Sequence, residues 1–576
     1  MPYSNQDDRR ATPPMLAAIL PLMFASACST IKFPEFPDFN ADEQAPNVLF
    51  ILADDLGSMD VNSFAERLSG TPAALQFYET PNIDRLARSG VSFTQAYSTH
   101  LCAPTRAALL TGKYAATLGF TTATVIGIKN YYNQNQTPPA SYQLHDQIPR
   151  TPDRANKPLI NGTTLMALPS GFRGEPDVTT FVEAMPGHHR AFTGKWHLGS
   201  FGATGHQPQD NGFDEILSRL DSTHSPYYNW KNTFQNASNR YTGENMGSIS
   251  PFDSGEDYLT DDMGARAEDY ILRRHQTAPN HPWMLEVSFI AVHKPLRAKN
   301  ADRQHFDAKS TKGWNGQENA EYAGMIKSMD DAVGRILDTL EATGELNNTA
   351  IVFMSDNGGD SPRKPGDNAS TTNTPLRGGK GQLYEGGVRV PLIISAPFLS
   401  HPTNVTSDAI VDATDIAPTI LDLAGYDSSA FVTQFDGDGQ SLRPLLVDPL
   451  NANSEFSRNT VFYHYPYYVK ITDPITPPTS GIRMGDWKLI VDETGYVELF
   501  NIRDDLSEQH DLSSVHPEIA GRLYWLLRNW QENEVPERYQ SKPNPDYEPN
   551  VESNWRPYRD LDQIYDEYRT ASKTGE

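Results

Sequence analysis

Cysteine is scarce: the 576 residues contain two, Cys28 and Cys102. If the N-terminal segment is cleaved, or Cys28 is lipidated, Cys102 has no partner within the chain. An unpaired thiol in an exported protein is either a buried structural side chain or a reactive one. Positive charge is also short, with 48 Lys and Arg against 73 Asp and Glu, a formal net charge of −25. That balance argues against nucleic acid as a partner, because phosphate binding needs a basic face. It does not exclude an anionic substrate, since a few cations converging on one pocket with a metal reverse the local field. Long apolar runs are missing too: after the first thirty residues, no stretch approaches a membrane span in length.

The length suits two domains, one of them large. The composition, 38% hydrophobic and 21% charged, is ordinary for a globular protein. Residues 1–27 read as an export signal: Arg9 and Arg10, diluted by Asp7 and Asp8, precede an apolar run at 15–27 that ends in Ala25-Ser26-Ala27. Small residues before Cys28 resemble a bacterial lipoprotein box, although Ala25 stands where Leu is preferred. A plain cleaved signal with an incidental Cys28 is the alternative, and both readings stand. Residues 28–45 then form a polar, Pro-rich tether. The expected location is outside the cytoplasm, either periplasmic or at the cell surface with a lipid anchor through Cys28, or secreted.

Residues 47–53 (NVLFILA) form a continuous apolar run, the mark of a strand covered on both faces. Residues 283–291, 350–355 and 388–396 read the same way. Between two of these lies a helix over about 318–343, with Tyr322, Met325, Ile326, Met329, Val333, Ile336, Leu337 and Leu340 at helical spacing and Gly344 just past its end. Strand, helix, strand implies an α/β fold with a large central, mainly parallel or mixed sheet sandwiched by helices. Residues 46–440 are assigned to it. Residues 441–536 are expected to form a smaller C-terminal α+β unit, with antiparallel strands at 481–491 and 496–502 around a turn at 492–495, and a helix at 517–530. Residues 537–576 read as an extended or loose tail, and 121–187 as long loops near the site.

Ligands gather beyond the carboxyl ends of strands in such sheets, and the polar motifs sit there. Asp54-Asp55 follows the first run, His293 the second and Asp356-Asn357-Gly358-Gly359 the third. Adjacent carboxylates repel, so a hard cation between them is implied. Alone, Asp54-Asp55 would be a helix cap and Asp-Asn-Gly a common turn. Two such sites at one sheet edge favour a metal, and oxygen ligands favour calcium or magnesium over zinc. Lys195 and His197, two residues apart, would point the same way from an extended segment. Lys380 lies in a Gly-rich stretch, Gly378-Gly379-Lys380-Gly381.

Residues 101–112 (LCAPTRAALLTG) are the sharpest signal. Pro104 suits the first turn of a helix and Gly112 its end. Cys102 then sits at the helix N-terminus, where free N–H groups favour negative charge, and Arg106, one turn on, can reach back towards it.

This segment resembles the Cys-x-Pro-x-Arg signature of type I sulfatases, in the alkaline phosphatase superfamily; His100 departs from the small residue usual there. Gly194 to Gly199 (GKWHLG) is similar to a second signature of that family, with His188 and Arg190 where Tyr and Thr are usual. Residues 384–391 (YEGGVRVP), Thr80 to Asp84, and Gly481-Ile482-Arg483 with Asp486 to Leu489 (DWKL) are further family-like stretches. The resemblance covers roughly 46–530. It implies that a separate maturation enzyme oxidises Cys102 to formylglycine, whose hydrate is the nucleophile. It also implies one calcium held by Asp54, Asp55, Asp356, Asn357 and the modified residue 102. Arg106 is implied to steady the hydrate, Lys195, His293 and Lys380 to bind the sulfate, His293 to protonate the leaving alcohol, and His197 to deprotonate the second hydroxyl so that the aldehyde re-forms.

The implied activity is hydrolysis of sulfate esters, with a sulfated carbohydrate or polysaccharide as the expected substrate, since aromatic-rich segments such as 225–230 (SPYYNW) suit sugar rings. An arylsulfatase, or a phosphodiester or phosphonate monoester hydrolase of the same superfamily, is the alternative. An inactive sulfated-glycan-binding protein is a third, against which the complete residue set argues.

Overall fold

The computed structural model describes residues 45–122, 160–161, 178–199, 207–220, 227–228, 254–362, 366–399, 402–450, 455–466, 478–492, 496–540 and 542–543. The expected signal, the tether, Cys28, most of 121–187, most of the aromatic 225–230 stretch and the tail past 543 lie outside them.

In chain order the described strands are β1 (Asn47–Ala53), β2 (Val91–Tyr97), β3 (Ile160–Asn161), β4 (His189–Lys195), β5 (Glu215–Leu220), β6 (Trp283–Ser288), β7 (Thr349–Ser355), β8 (Leu392–Ser395), β9 (Val405–Asp412), β10 (Thr460–Tyr465), β11 (Thr479–Met484), β12 (Trp487–Asp492), β13 (Val497–Asn501) and β14 (Lys542–Pro543). Eight make one sheet in the order β5-β4-β6-β1-β7-β8-β2-β9. β1 pairs parallel with both β6 and β7, and β4 with both β5 and β6. Every residue of β1, β6 and β7 is buried, which is why these strands read as largely apolar runs, interrupted in β6 by Glu286.

The helix Ala320–Ala342 covers one face of this sheet. Asn319 caps it by accepting from the Tyr322 N–H, and Gly344 follows it at φ 75°. The helix Cys102–Thr111 is buried along its whole length and packs on the other face.

Three expected strands came out differently. The run expected at 283–291 is strand only over Trp283–Ser288. In the stretch expected at 388–396, only Leu392–Ser395 is strand, and it runs antiparallel to β7 and β2. Pro391 has no N–H for the ladder, and the preceding Glu385–Val388 closes into a helical turn. In the stretch expected at 481–491, β11 and β12 are two strands of a tight hairpin, which Gly485 turns at φ 55°.

The smaller sheet has the order β10-β11-β12-β13, antiparallel throughout, with the helix Pro517–Glu534 packed on it. Ile482, Leu489, Leu499, Leu523 and Leu527 from this unit belong to the same apolar cluster as Phe93, Val352 and Leu109. The start of the expected tail is packed: Tyr539 is buried against Gly119, and β14 pairs with β3. Among the described residues no helix is long and apolar enough to cross a membrane.

Candidate active site

Four adjacent parallel strands end side by side and deliver most of the site. β1 runs into Asp54-Asp55, β7 into Asp356-Asn357, β4 ends on Lys195, and β6 leads to His293. Their loops are tied together by backbone bonds. Asp54 N–H donates to Ala291 O at 3.0 Å, and Asp356 N–H to Ala53 O at 3.0 Å. Asp55 adopts φ 63°, a conformation Asp tolerates better than most residues, and its N–H donates to Asp356 Oδ1 at 3.2 Å.

Cys102 opens its helix facing these carboxylates, 1% exposed, with Sγ 4.0 Å from Asp55 Oδ1. Burial decides its ionisation. The thiol is pushed up to about 12, despite the helix N-terminus and the nearby Lys195 and Lys380. The negative charge expected at that helix start is therefore absent from the thiol, and unmodified Cys102 is not a thiolate nucleophile.

Arg106 spends its hydrogen bonds on the neighbouring strand ends. Its Nε and Nη2 donate to Asp356 Oδ2 at 3.0 and 2.7 Å, and its Nη1 donates to Lys195 O at 2.8 Å and Ser288 Oγ at 2.5 Å. It locks three strand ends together. Lys195, fully buried, pairs with Asp54 Oδ2. Lys380 Nζ lies 2.6 Å from Asp55 Oδ1 and 2.8 Å from Oδ2.

His197 also lies in the site, but not by the alternation expected. β4 ends at Lys195, and His197 turns at φ 59°. Its Nδ1 is buried with no hydrogen-bond partner among the described residues. Burial, then the charges of Lys195 and Arg106, hold it neutral. His293 Nε2 lies 3.7 Å from Asp55 Oδ2. Burial, then Lys380, lowers its pKa to about 3, with Asp55 opposing.

Asp54, Asp55, Cys102 and His293 each offer a ligand atom within 4.8 Å of the others. Asn357 Nδ2 donates to Asp55 Oδ1, leaving Asn357 Oδ1 buried without a partner among the described residues, as is Asp54 Oδ1. Two orphaned oxygens among three carboxylates are what a hard cation satisfies. The like charges show their strain: burial and then Asp54 push the Asp356 carboxyl up. The donor set therefore fits calcium or magnesium.

Sequence reading missed two residues here. Ser288 sits at the polar end of an apolar run, where its Oγ bridges Arg106 and Lys195 O. Tyr322 was expected only as an apolar helix position. Its hydroxyl lies 3.0 Å from Asp55 O and 2.8 Å from Asp60 Oδ2, steadying the loop that carries Asp55.

A buried Cys at a helix start, a carboxylate nest and four buried cations or imidazoles at the carboxyl edge of a parallel sheet suit an ester hydrolase for anions. The sulfatase family model matches residues 46–426, and the model for the C-terminal part of N-sulphoglucosamine sulphohydrolase matches 379–550. The chain belongs to the sulfatase family, the sulfuric ester hydrolases. A sulfatase of Formosa agariphila is 29% identical over 542 residues, covering 84% of this chain and 89% of the relative. The N-acetylgalactosamine-6-sulfatase of Sus scrofa is 30% identical over 432 residues, covering 73% and 69%. The crystal structure of Ps i-CgsB in complex with k-i-k-neocarrahexaose superposes with a TM-score of 0.62 at 25% identity, covering 92% of this chain and 99% of that one.

Proposed function

We propose that this sulfatase removes sulfate from a sulfated carbohydrate, using formylglycine at position 102 and a calcium ion. The observation that carries the reading is the placement of Cys102, neutral and buried, 4.0 Å from Asp55 within the carboxylate nest. A thiol so placed is a poor nucleophile, and its conversion to an aldehyde hydrate supplies one. The carbohydrate is supported by the relatives: one is named for N-acetylgalactosamine 6-sulfate, another was solved with a bound hexaose.

Asp54, Asp55, Asp356 and Asn357 would hold the ion, with residue 102. Bound there, it supplies positive charge to the sulfate oxygens and the attacking oxygen. The chain's own residues do the rest. Lys195 and Lys380, buried and cationic, bind the sulfate and offset the charge that builds in the transition state. Arg106 fixes Asp356 and the Lys195 backbone, so that the cations and carboxylates keep their spacing. His293 is neutral beside Lys380, and an arriving sulfate anion raises its proton affinity, which readies it to protonate the departing alcohol. His197 keeps an open ring nitrogen and serves as the base.

We further propose export directed by residues 1–27, with Cys28 either the lipid attachment point of a lipoprotein or an incidental residue after a plain cleavage site. Peptide mass spectrometry at residue 102 and release of sulfate from a panel of sulfated oligosaccharides test the main reading together. An intact thiol in the active enzyme would falsify the nucleophile, and release from aryl sulfates or phosphodiesters alone would overturn the carbohydrate assignment.

A further inference from the structure

Lys380 leaves a backbone knot made of glycines. Its N–H donates to Gly359 O at 3.1 Å, Gly381 N–H to His100 O at 2.8 Å, and Gly358 N–H to Gly387 O at 3.0 Å. The loop from 378 to 388 is thus stitched to the residues after Asn357 and to those before Cys102. The packing is too close for side chains. A Cβ on Gly358 would fall 1.9 Å from Gly386 O, and one on Gly387 would fall 2.1 Å from Gln382 O. The glycines at 378, 379, 381, 386 and 387 have no side chains to set the height of the loop over the site, so the few side chains it does carry, and what holds them, must do so.

What lies beneath is a buried ionic cluster. Glu385, inside the loop, is fully buried. Its Oε1 is 2.9 Å from Lys488 Nζ, and its Oε2 accepts from Tyr97 OH and Arg389 Nη1, each at 3.1 Å. Lys488, on β12 of the C-terminal sheet, is 1% exposed and lies 2.9 Å from Glu508 Oε1 as well. The other Glu508 oxygen accepts the Glu385 backbone N–H at 2.7 Å. Lys488 and Glu508 therefore grip Glu385 by side chain and main chain at once. Arg377, just before the knot, adds a second grip: Nη1 donates to Glu508 O at 2.8 Å and Nη2 to Glu498 Oε1 at 3.4 Å.

We infer that Lys488, on the C-terminal sheet, is a positioning residue for Lys380, acting with Glu508 through Glu385 and the glycine knot. This rests on the reading that Lys380 binds the sulfate. It gives the small sheet a part in the reaction, although it contributes no group that touches the substrate. Removing Lys488 leaves Glu385 and Glu508 facing each other as buried carboxylates. Without the Lys488 bridge the Glu385 side chain loses its tie to the small sheet, and the Lys380 ammonium can move away from Asp55. Displacements on the order of 1 Å at a transition-state contact lower rates by up to about a hundredfold.

The test compares kcat and KM of purified, metal-loaded variants on the sulfated oligosaccharide that the wild type turns over fastest. Lys488→Met, and the charge-balanced pair Lys488→Met with Glu508→Gln should the single variant fail to fold, are expected to lose about tenfold or more in kcat with KM changed by less than about threefold. Lys488→Arg should recover most of that loss. Leu489→Ala, next along the same strand, removes core packing without touching the cluster. At a temperature where it stays folded it should keep kcat within about twofold of wild type. Wild-type kcat in a folded Lys488 variant, or an equal fall in Leu489→Ala, overturns the positioning role while leaving the site reading intact. Wild-type kcat in Lys380→Ala overturns both.

Discussion

Asn357 Nδ2 donates to Asp55 Oδ1 at 2.8 Å, joining residues 302 apart in the chain at the ends of neighbouring strands. The bond orients both side chains and leaves the Asn357 carbonyl oxygen without a protein partner among the described residues. Asn357→Ala removes one oxygen ligand and frees another to rotate. Calcium affinity should fall about tenfold or more, read by calorimetric titration of the metal-stripped protein. An unchanged titration removes Asn357 from the ligand set.

Cys102 is in the interior, so its replacement by Ala deletes one sulfur from a tight site. Stability should drop by only about 1 kcal/mol, as for small core truncations, while sulfate release falls to background. Cys102→Ser, with one hydroxyl and no route back to an aldehyde, should fail to turn over repeatedly. Sustained turnover by either variant, in an enzyme whose thermal unfolding is close to wild type, sinks the nucleophile assignment.

Arg106 and Asp356 are both buried and held by two bonds to one oxygen. Breaking one side of such a pair costs about 3–5 kcal/mol, because the other charge stays behind. Arg106→Met should show that loss in chemical denaturation, and Arg106→Lys should also be destabilised, since an ammonium cannot span Asp356, Ser288 and Lys195 O together. A denaturation midpoint equal to wild type in both contradicts the locking role.

Glu286 lies in the middle of β6, buried beside Arg106 in a small cavity lined by Phe50, Leu52, Leu109 and Trp196. Its Oε2 has no hydrogen-bond partner among the described residues. Burial raises its pKa from 4.5 to about 7, with Arg106 opposing. The folded state holds the proton more tightly than the unfolded chain does. Its contribution to stability is therefore complete below about 4.5 and is lost as pH rises to 7. Glu286→Gln removes that loss, so the variant should match wild type near pH 4.5. At pH 8 it should exceed wild type by on the order of 3 kcal/mol. A gain of equal size at both pH values excludes titration of Glu286 as the cause.

Much of this architecture was legible in the sequence because buried strands and amphipathic helices write their periods into a few consecutive residues. β1 matches its apolar run residue for residue, and the Ala320–Ala342 helix matches the spacing of its apolar positions. In the region around Pro391 the apolar run outweighed a signal that the sequence already carries, a proline that cannot donate to a ladder. The β11–β12 hairpin was misread because its turn is one Gly-Asp step inside an otherwise strand-like stretch.

The site divides along a similar line. The residue types, and their position after strands, could be read locally. The left-handed turn that brings His197 into the site could not, nor could the hydroxyls of Ser288 and Tyr322.

The sequence by itself determined which apolar runs the polar motifs follow, the helix that begins at Cys102, and a set of side chains whose chemistry suits an anionic ester and a hard cation. These follow from dihedral preference and side-chain chemistry, which act over a few neighbouring residues. Only the tertiary structure decided which charges face one another: Arg106 turned to Asp356, the Cys102 thiol kept neutral by burial, and Lys488 of the small sheet set under the loop that bears Lys380. Electrostatics and desolvation depend on distance in space, and folding brings residues hundreds of positions apart to within a few ångströms.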